Sequence, residues 1–529
     1  MVESINTSRI SGLASGMDTE TMVRDLMKAE RAPLDKMQQE KTWMTWQRDA
    51  YRDMNKLFFD LDNQMLDMKL QKTYSPKTSS STNSGAVTAT ASASAQNGTY
   101  DINVTQLASR AANYSQTGIS ADPANKINLN GKLIDQKFAS GNITAGTQSF
   151  NFSTFDKTGS ETVHTVEFTD QNTMNEVFQK IKDASGGKVR AFYDGEQDKV
   201  ILERTESGDF NQSGLYYGAE IGFTSTSASF LTDTLQIAAE KQVEQPDGTF
   251  VTTRAETGGT NAKFTYNNGY QVETTNNSYT LDGITYNFTN VTNGNATISV
   301  NNDVEASMKS ITEFVDQYNT LIETVNGSLR EERYRTYKPL TDAQKEEMSD
   351  KEVELWEQRA KSGVLRSDSI LSGGLNNMRQ DWYSSVENGG QFSHLSEIGI
   401  ETSSNYRDGG KLIINEDKLR QALQNNPEDV RKLFSNDVEG NGRGIINRLE
   451  DSIEKTMKNI EGRAGKSTQT LEQYTMGKRM KFLDTRINAF QDKLVQIEDR
   501  YWRQFTAMEK AIQRANQQSA YLMNQFGGM

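Results

Sequence analysis

Protein chemistry usually starts from an imidazole, a thiolate or converging carboxylates, and this chain offers little of each. It holds 2 histidines and 0 cysteines. His164 lies in the strand-like run ETVHTVEF, on the side opposite Val163 and Thr165, and His394 lies in the loop-like GQFSHLSE. Two imidazoles far apart in unlike settings suggest neither a catalytic pair nor a zinc cluster. Without cysteine there is no disulfide, no thiolate metal site and no thiol nucleophile. GRAGKS at 462–467 invites a phosphate-loop reading, but that loop needs a glycine where Ile460 stands. GLASG at 12–16 has its serine one place too late for a nucleophile elbow, so both strings read as flexible turns. The adjacent pairs Glu331/Glu332 and Glu346/Glu347 fall on predicted helices, where neighbouring side chains diverge by about 100° and do not converge on a substrate. Arg330, Arg333 and Arg335 with Tyr334 and Tyr337 come closest to a platform for single-stranded nucleic acid, and Glu331 and Glu332 dilute it. The expectation is no catalytic residue, no metal ligand and no cofactor: not an enzyme.

The composition points the same way. Lysine and arginine number 58 against 71 aspartates and glutamates, a net charge of −13, which argues against nucleic-acid binding through a global positive field. A length of 529 residues suggests three or four domains at about 150 residues each. The hydrophobic fraction is 34%, below the roughly 45–50% usual for globular chains, so much of the surface stays wet. No apolar run approaches about 18 residues, so no membrane insertion is expected. The opening MVESINTSRISGLASGMDTE has neither the basic start nor the apolar stretch of a secretory signal, so export would take another route.

The elements divide by composition. All 5 tryptophans (Trp43, Trp46, Trp356, Trp382, Trp502) avoid the centre of the chain. From Ser79 to Thr99 there is no charged residue, and 75–302, rich in Ser, Thr, Asn and Gly with short β-branched runs, reads as mainly antiparallel β. The first helix is expected from Asp18 or Thr19 to about Arg31, where Pro33 interrupts it before it resumes. Tyr51, Met54, Phe58, Leu61, Met65 and Met68 then step by 3 and 4, the spacing of a coiled-coil seam. Met480, Leu483, Ile487, Phe490, Leu494, Ile497 and Tyr501 repeat the stepping, with Asp484, Arg486, Asp492, Lys493 and Glu498 off the seam. The stripe continues less strictly through Phe505, Met508, Ile512 and Ala515 to Leu522 and Phe526, before Gly527 and Gly528. Residues 303–440 read as shorter helices and loops. Ser349 with Glu352 forms a capping box for a helix that closes at Gly363, and Asn426 with Pro427 opens another. The order helix, β insert, mixed region, helix predicts a multi-domain α+β chain that leaves one helical stalk and returns to it, the β material looped out as a head. Such stripes are explained either by two helices burying each other or by binding to a partner.

Four stretches and a short fifth carry a resemblance. RISGLASGMDTETMVRDLMKAERAPLDKM is similar to the N-terminus of the bacterial flagellar filament cap family, hook-associated protein 2, and RINAFQDKLVQIEDRYWRQFTAMEKAIQRANQQSAYLMNQF to that family's closing helix. LSEIGIETSSNYRDGGKLIINEDKLRQALQNNPEDVRKLF resembles its C-terminal region, and TYKPLTDAQKEEMSDKEVELWEQRAKSGVLRSD a helical segment of Gram-positive members. NGTYDINVTQLA at 97–108 agrees, and 119–275 matches nothing specific. The resemblance implies a secreted structural protein, exported unfolded through the flagellar type III apparatus to the distal filament tip. There it would form a ring of its own copies, retain flagellin and promote its folding and polymerisation. The implied partners are itself, flagellin, the hook–filament junction protein and an export chaperone on the C-terminal helix.

On this basis five parts are expected. They are an N-terminal leg helix with a flexible start (1–45), a helical or mixed domain (46–74 plus 303–440), a first β head domain (75–118 plus 230–302), a second (119–229), and C-terminal helices pairing with the leg (441–529). Leg contacts with the filament are assigned to Ile10, Leu13, Met17, Val23, Leu26 and Met27 at the start and to Phe505, Met508, Ile512, Leu522 and Phe526 at the end, with Gly12, Gly16 and Pro33 supplying give. Other readings of the same residues are a flagellin or junction protein, which would share paired terminal helices, and an adhesin binding glycans through Tyr, Asn and Ser/Thr of the head. A glycan-cleaving enzyme resting on a carboxylate pair is the remote third.

Overall fold

The computed structural model describes residues 16–526, which fall into two units: the chain up to Ser75 together with Val304 onward, and Pro76–Asp303. The first unit is built from α1 (Thr19–Met68), α2 (Gln71–Tyr74), α4 (Val304–Arg330), α5 (Asp342–Glu346), α6 (Asp350–Lys361), α7 (Ser369–Tyr383), α8 (Glu416–Asn425), α9 (Pro427–Ser435), α10 (Ile445–Ala464) and α11 (Thr475–Phe526). The second holds α3 (Met174–Ala184) and all but the last two strands.

Asp18 caps α1 by accepting from the Thr21 backbone N–H at 2.9 Å. The expected interruption at Pro33 does not occur, and α1 runs unbroken through it. Proline removes only one main-chain donor, Pro33 sits on the exposed face, and its neighbours Leu34 and Met37 are buried against α11, which holds the helix together across the gap. Burial of Tyr51, Met54, Phe58, Leu61, Met65 and Met68 follows from their 3–4 spacing, and they pack among several helices, most of them within 303–440, in place of a two-helix coiled-coil seam. They enter the main core of the unit with Ile311, Phe314 and Tyr318 of α4, Met378 and Trp382 of α7, and Leu449 and Ile453 of α10. A stripe of this width fits several helices equally well, and α4, at 27 residues longer than the sequence suggested, supplies a facing stripe of its own. Ser349 and Glu352 form the expected box, the carboxylate accepting from the Ser349 N–H at 3.0 Å, and Gly363 (φ +71°) follows the end of α6. Pro427 opens α9 behind Asn426. GRAGKS turns out to be the C-terminus of α10, with Gly465 at φ +70° ending the helix.

The second unit has two cores. In the first, β1 (Lys77–Ser81), β16 (Ala296–Asn302), β3 (Gly98–Gln106), β12 (Ala262–Tyr266) and β13 (Tyr270–Thr274) pair in that order. A smaller sheet, β14 (Ser278–Leu281), β15 (Ile284–Phe288) and β2 (Val87–Ala91), shares its core. Alternation decides the faces: Ala296, Ile298 and Val300 of β16 and Ile284, Tyr286 and Phe288 of β15 all point inward.

In the second core, β6 (Glu161–Thr169), β5 (Thr147–Phe155) and β9 (Ile221–Gly222) form one sheet, and β4 (Arg110–Tyr114), β8 (Lys199–Ser207) and β7 (Val189–Asp194) another. Their core is drawn from residues 119–237 and includes α3. The sequence reading missed α3, although Thr173 with Glu176 is a capping box and Met174, Val177, Phe178 and Ile181 are spaced as one buried helix face. A separate hairpin joins β10 (Glu240–Glu244) to β11 (Phe250–Arg254). His164 is buried on β6 with its Nε2 2.8 Å from Thr154 Oγ1, opposite the exposed Val163, a packed histidine in a strand. Buried ions also cluster here. Arg204 donates to Glu220 at 2.9 Å, Glu220 also accepts the N–H groups of Phe210 and Asn211, and Glu256 accepts those of Glu220 and Ile221.

Candidate functional site

With few groups able to do chemistry, the chain's distinctive features are its terminal helices. At about 1.5 Å per residue, the 50 residues of α1 and the 52 of α11 make rods of roughly 75 and 78 Å. They run antiparallel. Thr45 Oγ1 lies 3.7 Å from Met480 Sδ, Lys41 pairs with Asp484, and Tyr501 Oη donates to Glu30 Oε1 at 3.0 Å, so the numbers fall on one helix as they rise on the other. Arg479 and Glu40 add an ion pair at 2.6 Å.

The apolar seam between them is a small core distinct from the main one: Val23, Met27, Leu34 and Met37 of α1 with Ile487, Leu494 and Ile497 of α11. Phe490, Tyr501, Trp502 and Phe505 pack against it, half-buried. The C-terminal seam residues therefore part company: Met480 and Leu483 belong to the main core, Ile487 onward to the stalk. The same division puts the α1 positions from Tyr51 to Met68 outside the stalk altogether.

The expected leg contacts separate likewise. Val23 and Met27 are buried within the stalk, Met17 is half-buried and Leu26 is exposed. Met508 and Ile512 are half-buried, and Leu522 is 52% exposed. Ile10 and Leu13 lie outside the described residues, as does the side chain of Phe526, whose backbone closes α11. Sequence reasoning missed Tyr521 and Met523, 65% and 75% exposed beside Leu522, and Phe482 and Val495 on the outer face of α11. They fall off the 3–4 stepping, which finds the buried face and is blind to apolar residues opposite it.

Charge lines the rod without concentrating into a reactive group. Lys493 lies 5.8 Å from the Phe490 ring centroid and Arg500 5.4 Å from that of Tyr501, packing their stems over aromatic faces. Among the described residues no group of three or more His, Asp or Glu is placed to hold a metal ion, and no helix is long and apolar enough to cross a membrane. The arrangement can bury apolar surface and transmit position along a rod.

Comparison with known proteins covers both ends of the chain. Two family models match: the flagellar hook-associated protein 2 N-terminus over residues 15–111 and its C-terminus over 259–517. A flagellar hook-associated protein 2 of Halalkalibacterium halodurans is 36% identical across 98% of this chain and 99% of that protein. The A-type flagellar hook-associated protein 2 of Pseudomonas aeruginosa is 26% identical across 97% of this chain and 96% of its own length. The crystal structure of the D1-D2-D3 domains of the flagellar cap protein FliD from Escherichia coli superposes with a TM-score of 0.52 at 17% identity, covering 82% of this chain and 99% of that one, a likeness of fold.

Proposed function

Because the chain belongs to the flagellar hook-associated protein 2 family, we propose that it is exported to the distal tip of the bacterial flagellar filament and caps it as a ring of its own copies. There it retains arriving flagellin and promotes its polymerisation, a structural task without catalysis. The observation that carries this reading is the stalk: two long antiparallel helices with a core of their own, the longer ending in exposed Tyr521, Leu522 and Met523. An amphipathic helix with one uncovered stripe is marginal in water and gains order when a partner covers the stripe, which docking on a polymer end does.

In this reading Ile10, Leu13, Met17, Leu26, Phe505, Met508, Ile512, Leu522 and Phe526 meet the filament, while Val23 and Met27 act indirectly by keeping the stalk paired. The C-terminal stripe serves the export chaperone first, as an apolar helix face for a groove, and the hook–filament junction protein is the surface met before filament exists. In this reading the two cores of the second unit serve as two head domains. A strain expressing the chain without residues 1–30 tests it: flagellin should escape into the medium and filaments should be missing, while the purified variant keeps the near-ultraviolet circular dichroism of its folded units. Filaments of normal length would refute the proposal.

A further inference from the structure

The stalk and the body of the first unit meet where α1 changes cores, between Met37 of the stalk seam and Met44 of the main core, a step of about 10 Å along the helix. On α11 the same change falls between Leu483 and Ile487. Two helices crossing from one core to another with nothing beside them would bend there, because the six residues of α1 between Met37 and Met44 belong to neither core. Something does lie beside them. Between α4 and α7 the chain makes an excursion over residues 331–366 that begins and ends at one place, Ser367 N–H donating to Leu329 O at 3.0 Å.

The excursion is tied within itself. Trp356 Nε1 donates to Lys338 O at 2.8 Å, Arg359 donates to Tyr337 Oη at 2.6 Å, Lys345 pairs with Glu357 at 2.7 Å, and the Tyr337 and Trp356 rings pack at 4.7 Å. Gly363 is held at φ +71° with Arg333 so close that a Cβ would stand 2.9 Å from its side chain and 3.0 Å from its Cα. This self-tied unit meets α1 between Gln39 and Gln47, a stretch that spans the change of cores. Arg333 lies over Trp43 at 4.4 Å, Lys361 lies over Trp46 at 5.1 Å, Gln39 donates to Gln344 at 3.5 Å, and Gln47 donates to Val364 O at 3.0 Å. Trp43 and Trp46 belong to neither apolar core; both are half-buried, each with a cation of the excursion over its ring.

We propose that residues 331–366 are a brace that fixes the angle of the two-helix stalk to the helical body and suppresses bending at the junction. A guanidinium and an ammonium on the two indole faces resist sideways swing of α1, since either ring must leave its cation before the helix can tilt away. The two main-chain and amide contacts at Gln39 and Gln47 set the position along the axis. The inference concerns the stalk itself and stands whatever its far end docks against.

A distance measurement tests it on the full chain. Having no native cysteine, the protein takes spin labels only where they are placed, for example at Lys28→Cys on the exposed face of the stalk and Glu313→Cys on α4. Dilution with unlabelled chain removes distances between copies. The parent should give one narrow peak. Trp43→Ala with Trp46→Ala, and separately Arg333→Ala with Lys361→Ala, should lose that peak for a broad distribution while helical circular dichroism is unchanged. As a check against local misfolding, excising 332–364 behind a short glycine bridge, which the closeness of Leu329 and Ser367 allows, should broaden it at least as much. A peak equally narrow in the excised chain would overturn the proposal.

Discussion

Tyr501 Oη donates to Oε1 of Glu30 across 3.0 Å, joining positions 471 residues apart in sequence. It is a polar tie beside an apolar seam, half-buried at both ends, so water competes for it only partly. Tyr501→Phe keeps the ring against the seam and removes only the donor. The expected loss is about 1 kcal/mol, the usual net value of such a bond. It should speed hydrogen exchange of the α1 amides around Glu30 by about fivefold. Unchanged exchange there would mean that the bond holds nothing.

Two cores on one continuous helix predict two kinds of destabilisation. Ile487→Ala removes a buried side chain from the stalk seam, and Phe58→Ala one from the main core. Large-to-small changes in cores cost about 2–5 kcal/mol, toward the lower end where the surroundings can relax, as a two-helix seam can. Ile487→Ala should raise exchange in α1 before Met37 and leave α4 protected, whereas Phe58→Ala should lower the melting temperature of the whole first unit. Equal protection loss in α4 from both would show that stalk and body unfold as one.

How much of this was legible in the sequence depends on whether a pattern has one solution. The caps at Asp18, Ser349 and Pro427 were readable because a cap is satisfied within three or four residues. The stripe from Tyr51 to Met68 was readable as a buried face and unreadable as to partner, because 3–4 spacing fits α4 and α10 as well as it fits α11. Pro33 misled because the local cost of proline is visible in sequence and the packing of Leu34 and Met37 that offsets it is not. The helix α3 hid inside a stretch whose composition spoke for strands, though Thr173, Glu176 and four spaced apolar residues marked it. The buried trio Arg204, Glu220 and Glu256 had no local signature at all, since its members come together only through the turn at 208–221 and the return of the chain near 256.

Gly465 ends α10 at φ 70° and ψ 163°, a region that essentially only glycine occupies. A Cβ there would stand 2.3 Å from the Tyr474 ring, and the Gly465 carbonyl accepts from Arg52 Nε at 3.0 Å. The turn thus sets how α10 hands the chain on to α11 and ties it to α1. Gly465→Ala should cost about 1–3 kcal/mol from backbone strain, with the displaced tyrosine adding to it. Chemical denaturation of the full chain measures it, and a midpoint within error of the parent would show that the turn can relax.

Glu256 gives the head a pH dependence of known sign. Burial pushes its carboxyl up to about 7 from 4.5, against the pull of the Glu220 and Ile221 N–H groups and of Arg254, with the Glu220 charge adding to the rise. Below about 4.5 the carboxyl is protonated folded and unfolded alike, and it costs the fold nothing. As pH rises from there toward 7 the unfolded chain gives up its proton and the folded chain keeps it, so stability falls, and the loss is complete above 7. Other groups titrate over the same range, so the informative quantity is the difference from Glu256→Gln, which keeps the shape and cannot ionise. The melting temperature of the variant minus that of the parent should grow in the variant's favour between pH 5 and pH 8. A difference that stays constant across that window would mean the carboxylate is already ionised in the fold, held by its two backbone donors more strongly than burial opposes it.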